Sequence, residues 1–156
     1  MPPLDTDDAL LTSMATALEA SLTRVFRPFR RELILQARAH GLTQAQHTAL
    51  RLLSGHASRR MSDIADYLDL TNSAATALIE KLVERGLVER HVDAQDKRAV
   101  LVALSPAGAA LIEAIKVVVR RRMADLLARM APAERYMALG GIEALASTLE
   151  ADSEAP

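Results

Sequence analysis

The chain has 156 residues, of which 50% are hydrophobic and 25% are charged. This composition is typical of a packed globule and excludes a disordered tail, a collagen-like repeat and a low-complexity segment. The absence of cysteine excludes disulfide bonds, thiolate metal sites and cysteine nucleophiles. With 19 basic and 20 acidic residues the formal net charge is -1, so that any nucleic-acid binding requires a local basic patch.

No uninterrupted apolar run approaches the roughly 18 residues that a membrane span needs. The N-terminal residues are acidic and do not form the basic leader that precedes an apolar stretch in an export signal. We therefore expect a cytoplasmic protein without a membrane partner.

The N-terminal segment has the pattern of one long amphipathic helix, from Asp5 to about His40. Its apolar residues recur every three or four positions, as one helix face requires. Pro28 lies inside this pattern and lacks a backbone N–H, which predicts a kink or a break. Four arginines lie on the opposite face, which is either solvated or a secondary contact with phosphate or a partner subunit: Arg24, Arg27, Arg31 and Arg38.

Three short helices follow in the order typical of a helix-turn-helix. Thr43 is the predicted cap of the first, which stops at Gly55, and Ser62 is the predicted N-cap of the second. A tight polar link leads to the third, which runs from Asn72 to Arg85. Its apolar stripe leaves small and polar side chains facing outward, namely Asn72, Ser73, Thr76, Ala77, Glu80 and Lys81.

The rest of the chain predicts a β-hairpin and two further helices. Extended runs at residues 87–91 and 99–104 flank a polar loop that is too long for a tight turn, which indicates a projecting wing. Ser105-Pro106 marks the start of a long helix that reaches Met130, and a last helix follows. The predicted fold is therefore mainly α with a small β-hairpin. It comprises a winged helix-turn-helix (41–104) between an N-terminal helix (1–40) and C-terminal helices (105–156).

The helix that begins at Asn72 suits the major groove of DNA, because small side chains let its backbone approach the base edges. Asn and Ser side chains can bond to bases, and the methyl groups of Thr76 and Ala77 can contact thymine. At the tip of the wing, Lys97 and Arg98 are expected in the adjacent minor groove, with Asp96 bracing Arg98. The remaining predicted DNA contacts are basic side chains, namely Arg59, Arg60, Lys81, Arg85 and Arg90.

Three motifs, taken in order, resemble those of the MarR (multiple antibiotic resistance regulator) family. They are Leu82-Val83-Glu84-Arg85-Gly86-Leu87-Val88-Glu89-Arg90, Asp96-Lys97-Arg98 and Leu104-Ser105-Pro106-Ala107-Gly108. The resemblance covers nearly the whole chain. It implies an obligate homodimer with interlocked terminal helices, which binds a pseudo-palindromic operator and commonly represses nearby genes until a small ligand weakens binding.

The resemblance also implies roles for individual residues. Arg98 takes the position of the minor-groove arginine and Asp96 that of its partner. His40 and His47 lie near the junction of the first two helices, where the family often holds its effector cleft. Many relatives have arginine or another long polar residue at the position of Ala77, so we expect sequence readout here to depend more on methyl contacts and DNA shape.

Other sequence features bear on assembly, catalysis and metal binding. The apolar outer helices independently favour a homodimer, because a monomer would expose a large apolar patch. No nucleophile with its base and no phosphate-binding glycine loop is present, so we expect no enzyme and no cofactor. The four histidines match no metal-ligand spacing.

Two functions remain as alternatives to a ligand-responsive DNA-binding regulator. One is a winged-helix module that binds a protein partner, favoured by the slight acidic excess of residues 57–98. The other is a DNA-binding protein without an effector.

Overall fold

The computed structural model of the chain describes residues 6–92, 97 and 99–154. Its helices are α1 (Thr6–Ala39), α2 (Gln44–Leu53), α3 (Met61–Tyr67), α4 (Asn72–Glu84), α5 (Pro106–Ala128) and α6 (Pro132–Glu154). Its strands are β1 (Arg59–Arg60), β2 (Val88–Val92) and β3 (Val100–Leu104). The chain divides into two compact units, residues 1–119 and 120–156. This architecture confirms the predicted fold class.

Helices α2, α4 and α5 begin where the sequence places a capping side chain, whereas α3 does not. Thr43 and Gln46 form a reciprocal capping box at the start of α2. At α5, the Ser105 hydroxyl accepts the N–H of Gly108 at 3.0 Å. The predicted cap Ser62 is wrong, because α3 begins at Met61 and Arg60 occupies the N-cap position without a side-chain capping hydrogen bond. Arg60 already has extended backbone in β1, so the chain enters the helix directly from the strand.

Three helices of this unit end in the same way, with a left-handed residue followed by a leucine. The left-handed residues are Gly41 (φ 69°), Asp69 (φ 53°) and Gly86 (φ 66°). In each case the N–H of the following leucine donates to a carbonyl five residues earlier at 2.9 Å, in the pairs Leu42–Ala37, Leu70–Ala65 and Leu87–Leu82. This Schellman arrangement satisfies a terminal carbonyl, and Leu42 and Leu87 join the core.

The wing belongs to a sheet of three strands rather than the predicted hairpin of two. The strand order is β1-β3-β2, with both pairings antiparallel. Val88 pairs with Leu104 and Val92 with Val100, as the predicted hairpin requires. The added strand, β1, has only two residues and pairs Arg59 with Val102. Two residues are too few for an alternating pattern, so the sequence did not reveal it.

The core of the first unit lies between the end of α1, the three short helices, the sheet and the start of α5. Its fully buried side chains include Leu50, Leu53, Ile64, Ile79, Leu82, Val102 and Ile115. The predicted interruption at Pro28 does not break α1, which is helical from Thr6 to Ala39. The adjacent Phe29 is buried.

The outer helices leave large apolar side chains exposed, as the sequence predicts. In the first unit they line the N-terminal half of α1, at Leu10, Leu11, Met14 and Leu18. In the second unit they line α6, at Tyr136, Met137, Leu139, Ile142, Leu145 and Leu149. Across residues 6–92, 97 and 99–154, no helix combines the length and the apolar character that crossing a membrane would require.

Candidate nucleic-acid interface

Helix α4 turns its predicted DNA-reading face to solvent. Its other face is anchored by Ala75, Ile79 and Leu82, none of which is accessible to water. The outward side chains Asn72, Ser73, Ala77 and Lys81 are exposed, and Thr76 is half-buried. The helix is therefore held by its apolar stripe while its N-terminal half remains available for a ligand.

The start of α4 is ordered by the Thr71 hydroxyl. This hydroxyl accepts the N–H of Ala74 at 3.3 Å and lies 3.1 Å from the hydroxyl of Ser73. Capping by threonine satisfies one of the N–H groups that a helix leaves unpaired at its start. The positive end of the helix dipole and the side chains of Asn72 and Ser73 consequently share one exposed surface.

A cleft of about 400 Å³ lies between the start of α3, helix α4 and the sheet, lined by Arg60, Met61, Ser62, Thr76, Arg90, Ala99 and Val100. It brings together three of the predicted DNA-contact residues, Arg60, Thr76 and Arg90. The guanidinium of Arg90 donates to the carbonyl of Thr76 at 3.2 Å and lies 3.7 Å from the Glu80 carboxylate. Arg60 and Arg90 both line this concave surface, and arginine is well suited to a phosphate oxygen. Ser62, which sequence reasoning did not select, adds a hydroxyl to this lining.

Two further predicted DNA-contact residues, Arg59 and Lys97, do not line this cleft. Arg59 is half-buried on β1, and its Nη2 lies 2.6 Å from the His56 ring nitrogen Nε2. The other His56 ring nitrogen lies 3.1 Å from the carbonyl oxygen of Leu52. Because that oxygen only accepts, Nδ1 carries the proton and Nε2 accepts from Arg59. In the wing, Lys97 is exposed, whereas Asp96 and Arg98 lie outside the described residues.

Arg85 contacts the end of α1. Its Nη1 donates to the carbonyl of Gly41 and its Nη2 to the carbonyl of His40, both at 2.8 Å. The partners are more than forty residues away along the chain, so sequence spacing held no signal for this contact. The sequence predicted a phosphate contact for Arg85, whereas the structure shows its guanidinium engaged within the protein.

A second cleft, of about 370 Å³, lies at the junction of α1 and α2. Its lining residues are Ile34, Ala37, Arg38, Leu42, Thr43, Gln44 and His47. Burial, and secondarily the neighbouring Arg51, lowers the pKa of His47 below its usual value, which favours the neutral imidazole. Of the two histidines predicted near the effector cleft, the structure places His47 in this lining, whereas His40 is exposed at the end of α1 and does not line it.

The basic face of α1 forms a shallow groove of about 650 Å³. Three of the four predicted arginines, Arg27, Arg31 and Arg38, line it together with Arg30, which the sequence analysis did not include. Phe26 and Leu35 add apolar surface. Among the described residues, no group of three or more histidine, aspartate and glutamate side chains is arranged to hold a metal ion.

Comparison with known proteins agrees with this geometry. A sequence profile of the MarR family matches residues 40–99. The chain is 30% identical to the HTH-type transcriptional repressor Rv2887 of Mycobacterium tuberculosis over 115 residues, which cover 73% of this chain and 83% of the relative.

Solved structures share the fold. The transcriptional regulator Tm0710 from Thermotoga maritima superposes with a TM-score of 0.79 at 19% identity, covering 90% of this chain and 99% of that chain. A mutant of MepR from S. aureus, solved bound to an oligodeoxyribonucleotide, superposes with a TM-score of 0.64 at 22% identity, covering 85% of this chain and 97% of that chain.

Proposed function

Because the chain belongs to the MarR family, we propose that it is a homodimeric, ligand-responsive repressor that binds a pseudo-palindromic operator in double-stranded DNA. The observation that carries this proposal is the exposed N-terminal half of α4 beside the cleft of Arg60 and Arg90. In this proposal the protein acts in the cytoplasm as a transcriptional regulator and not as an enzyme.

In the proposed complex, α4 lies in the major groove. Asn72 and Ser73 bond to base edges, and the methyl groups of Thr76 and Ala77 contact thymine. The guanidinium groups of Arg60 and Arg90 hold a phosphate at the cleft between α3, α4 and the sheet, and Arg59 and Lys81 add further contacts to the DNA backbone. In the wing, Lys97 and Arg98 enter the minor groove, and Asp96 orients Arg98. A MepR mutant that shares this fold was solved with an oligodeoxyribonucleotide, which supports DNA as the partner.

The proposed dimer covers the exposed apolar side chains of the outer helices. Exposed apolar patches on a protein surface mark interaction surfaces, and a second copy of the chain offers the same apolar side chains. We assign residues 1–40 and 105–156 to dimerisation and residues 41–104 to DNA binding. Two-fold symmetry then places two copies of α4 about 34 Å apart, one turn of the DNA helix.

The proposed effector site is the cleft at the junction of α1 and α2. Buried and neutral, His47 can act as a hydrogen-bond donor or acceptor there, and Arg38 supplies a positive charge to the same lining. His40 lies beside this junction at the end of α1. A small molecule that binds here changes the segment connecting α1 to the DNA-binding residues 41–104, and thereby weakens DNA binding.

Fluorescence anisotropy with DNA fragments from upstream of the protein's own gene tests the proposal. We expect salt-sensitive, sequence-selective binding, and Arg98→Ala should weaken it by about 1–3 kcal/mol with the fold intact. Arg129→Ala removes the same charge beyond the end of α5 and serves as the matched control. If every fragment binds without selectivity, or Arg98→Ala and Arg129→Ala behave alike, the proposed DNA contacts are wrong. Recovery of a stoichiometric protein partner with no DNA would favour the interaction module instead.

A further inference from the structure

We propose that Arg85 is a positioning residue for DNA binding, which transmits the geometry of the α1–α2 junction to helix α4. The inference rests on the proposed role of α4 as the DNA-reading helix. Arg85 is the C-cap of α4, so its backbone moves with that helix. Its guanidinium holds the carbonyls of His40 and Gly41, both at 2.8 Å, and thus ties the end of α4 directly to the turn that follows α1.

The chemistry of this contact requires arginine. The carbonyl of His40, just after the end of α1, has no partner within the helix and lies at the negative end of its dipole, so it favours a cation. The carbonyl of Gly41 in the following turn is the second acceptor. The planar guanidinium can donate to two neighbouring carbonyls at once, with a fixed angle between its two N–H groups. A lysine at this position retains the charge but lacks this rigid two-point contact. The contact therefore fixes orientation as well as distance.

The position of the two acceptors explains how the contact couples to the cleft. The cleft at the junction is lined by Ala37 and Arg38 on one side of the carbonyl pair and by Leu42 and Thr43 on the other. A molecule that enlarges or closes the cleft must move the segment between them. Because that segment contains the carbonyls that Arg85 holds, its displacement pulls on the C-terminal end of α4. The main packing partners of α4 are α3, β2 and α2, so Arg85 adds a direct link to α1.

Because the chain has no cysteine, a single introduced thiol can be alkylated selectively, and the attached group mimics a bound effector. Gln44→Cys places one thiol in the lining of the cleft, and alkylation with N-benzylmaleimide fills it. Ala45→Cys is the matched control, since Ala45 is the exposed neighbour outside that lining. Each variant is prepared with Arg85, Arg85→Lys and Arg85→Ala. DNA affinity is measured by anisotropy before and after alkylation, and urea unfolding confirms that every variant is folded.

With Arg85 present, alkylation at position 44 should weaken DNA binding by about tenfold or more, within the usual range of allosteric coupling. In Arg85→Ala and Arg85→Lys the same alkylation should change affinity less than about threefold, and alkylation at position 45 should have no effect in any background. Equal weakening in the Arg85 and Arg85→Ala proteins, or no weakening with Arg85, would overturn the proposal. If Arg85 acted only through its charge, Arg85→Lys would keep the coupling. Loss of coupling in Arg85→Lys therefore indicates that the two-point contact is needed.

A second readout separates this inference from the proposed function. Hydrogen–deuterium exchange of residues 72–84, measured without DNA, should change on alkylation at position 44 only when Arg85 is present. If the parent protein binds no DNA, the proposed function fails while this exchange difference still supports the link between the cleft and α4. An exchange change that persists in Arg85→Ala contradicts the link, whatever the DNA affinity.

Discussion

Gly108→Ala should destabilise the protein, although glycine-to-alanine changes in helices usually stabilise. Gly108 lies in the first turn of α5, where that helix crosses the turn after α4. A Cβ at this position would overlap the carbonyl oxygen of Leu87 and lie 3.0 Å from its carbonyl carbon and 3.3 Å from Leu104 Cδ2. The same carbonyl oxygen accepts the N–H of Ser105 at 3.1 Å, so it cannot move without loss of that bond.

The expected change in the free energy of unfolding is the sum of two destabilising contributions and one stabilising contribution. Overpacking costs about 1–3 kcal/mol, and weakening the hydrogen bond from Ser105 to Leu87 costs about 1 kcal/mol. The better helix propensity of alanine offsets about 1 kcal/mol. The net effect is a loss of about 1–3 kcal/mol in the free energy of unfolding, dominated by the overpacking.

Urea unfolding followed by far-UV circular dichroism measures this difference. All variants are compared at one protein concentration, because the stability of a dimer depends on concentration. Gly140→Ala in α6 is the matched control: within the single chain nothing within 4 Å would meet its Cβ, so the change in helix propensity alone should stabilise it by about 1 kcal/mol. A Gly108→Ala protein as stable as the parent would refute the close approach of α5 to Leu87.

Three further predictions concern local structure. Gly86→Ala should cost about 1–2 kcal/mol, because Gly86 has φ 66° and no neighbour within 4 Å of its Cβ; an unchanged urea midpoint would contradict the backbone explanation. Thr43→Ala removes the capping box of α2 and should lower the free energy of unfolding by about 1 kcal/mol, whereas Thr48→Ala, which lacks this role, should cost less. Burial, and then Arg51, lowers the pKa of His47 from its usual 6.5, so the unfolded state binds the proton more readily and stability falls as pH drops below about 6.5. His47→Gln should flatten this part of the pH profile of urea unfolding, and a profile identical to that of the parent would show that another group is responsible.

The amino-acid sequence by itself determined the order of the elements and most of their ends. Thr43 and Ser105 are caps in the structure as predicted, and Ala75, Ile79 and Leu82 on the apolar face of α4 are buried. A cap, a Schellman turn or a helix face depends on residues within about five positions of one another. Such interactions can therefore be predicted from the local sequence. The exposed face of α4 could be predicted for the same reason.

Tertiary packing alone decided the contacts between residues far apart in the chain. It paired β1 with β3, moved the N-cap of α3 from Ser62 to Arg60, and brought Arg60 and Arg90 to one cleft. It also placed His47 rather than His40 in the lining of the junction cleft and directed Arg85 to the end of α1. An exposed arginine has many partners within reach of its long side chain, and only the relative placement of two helices selects one of them.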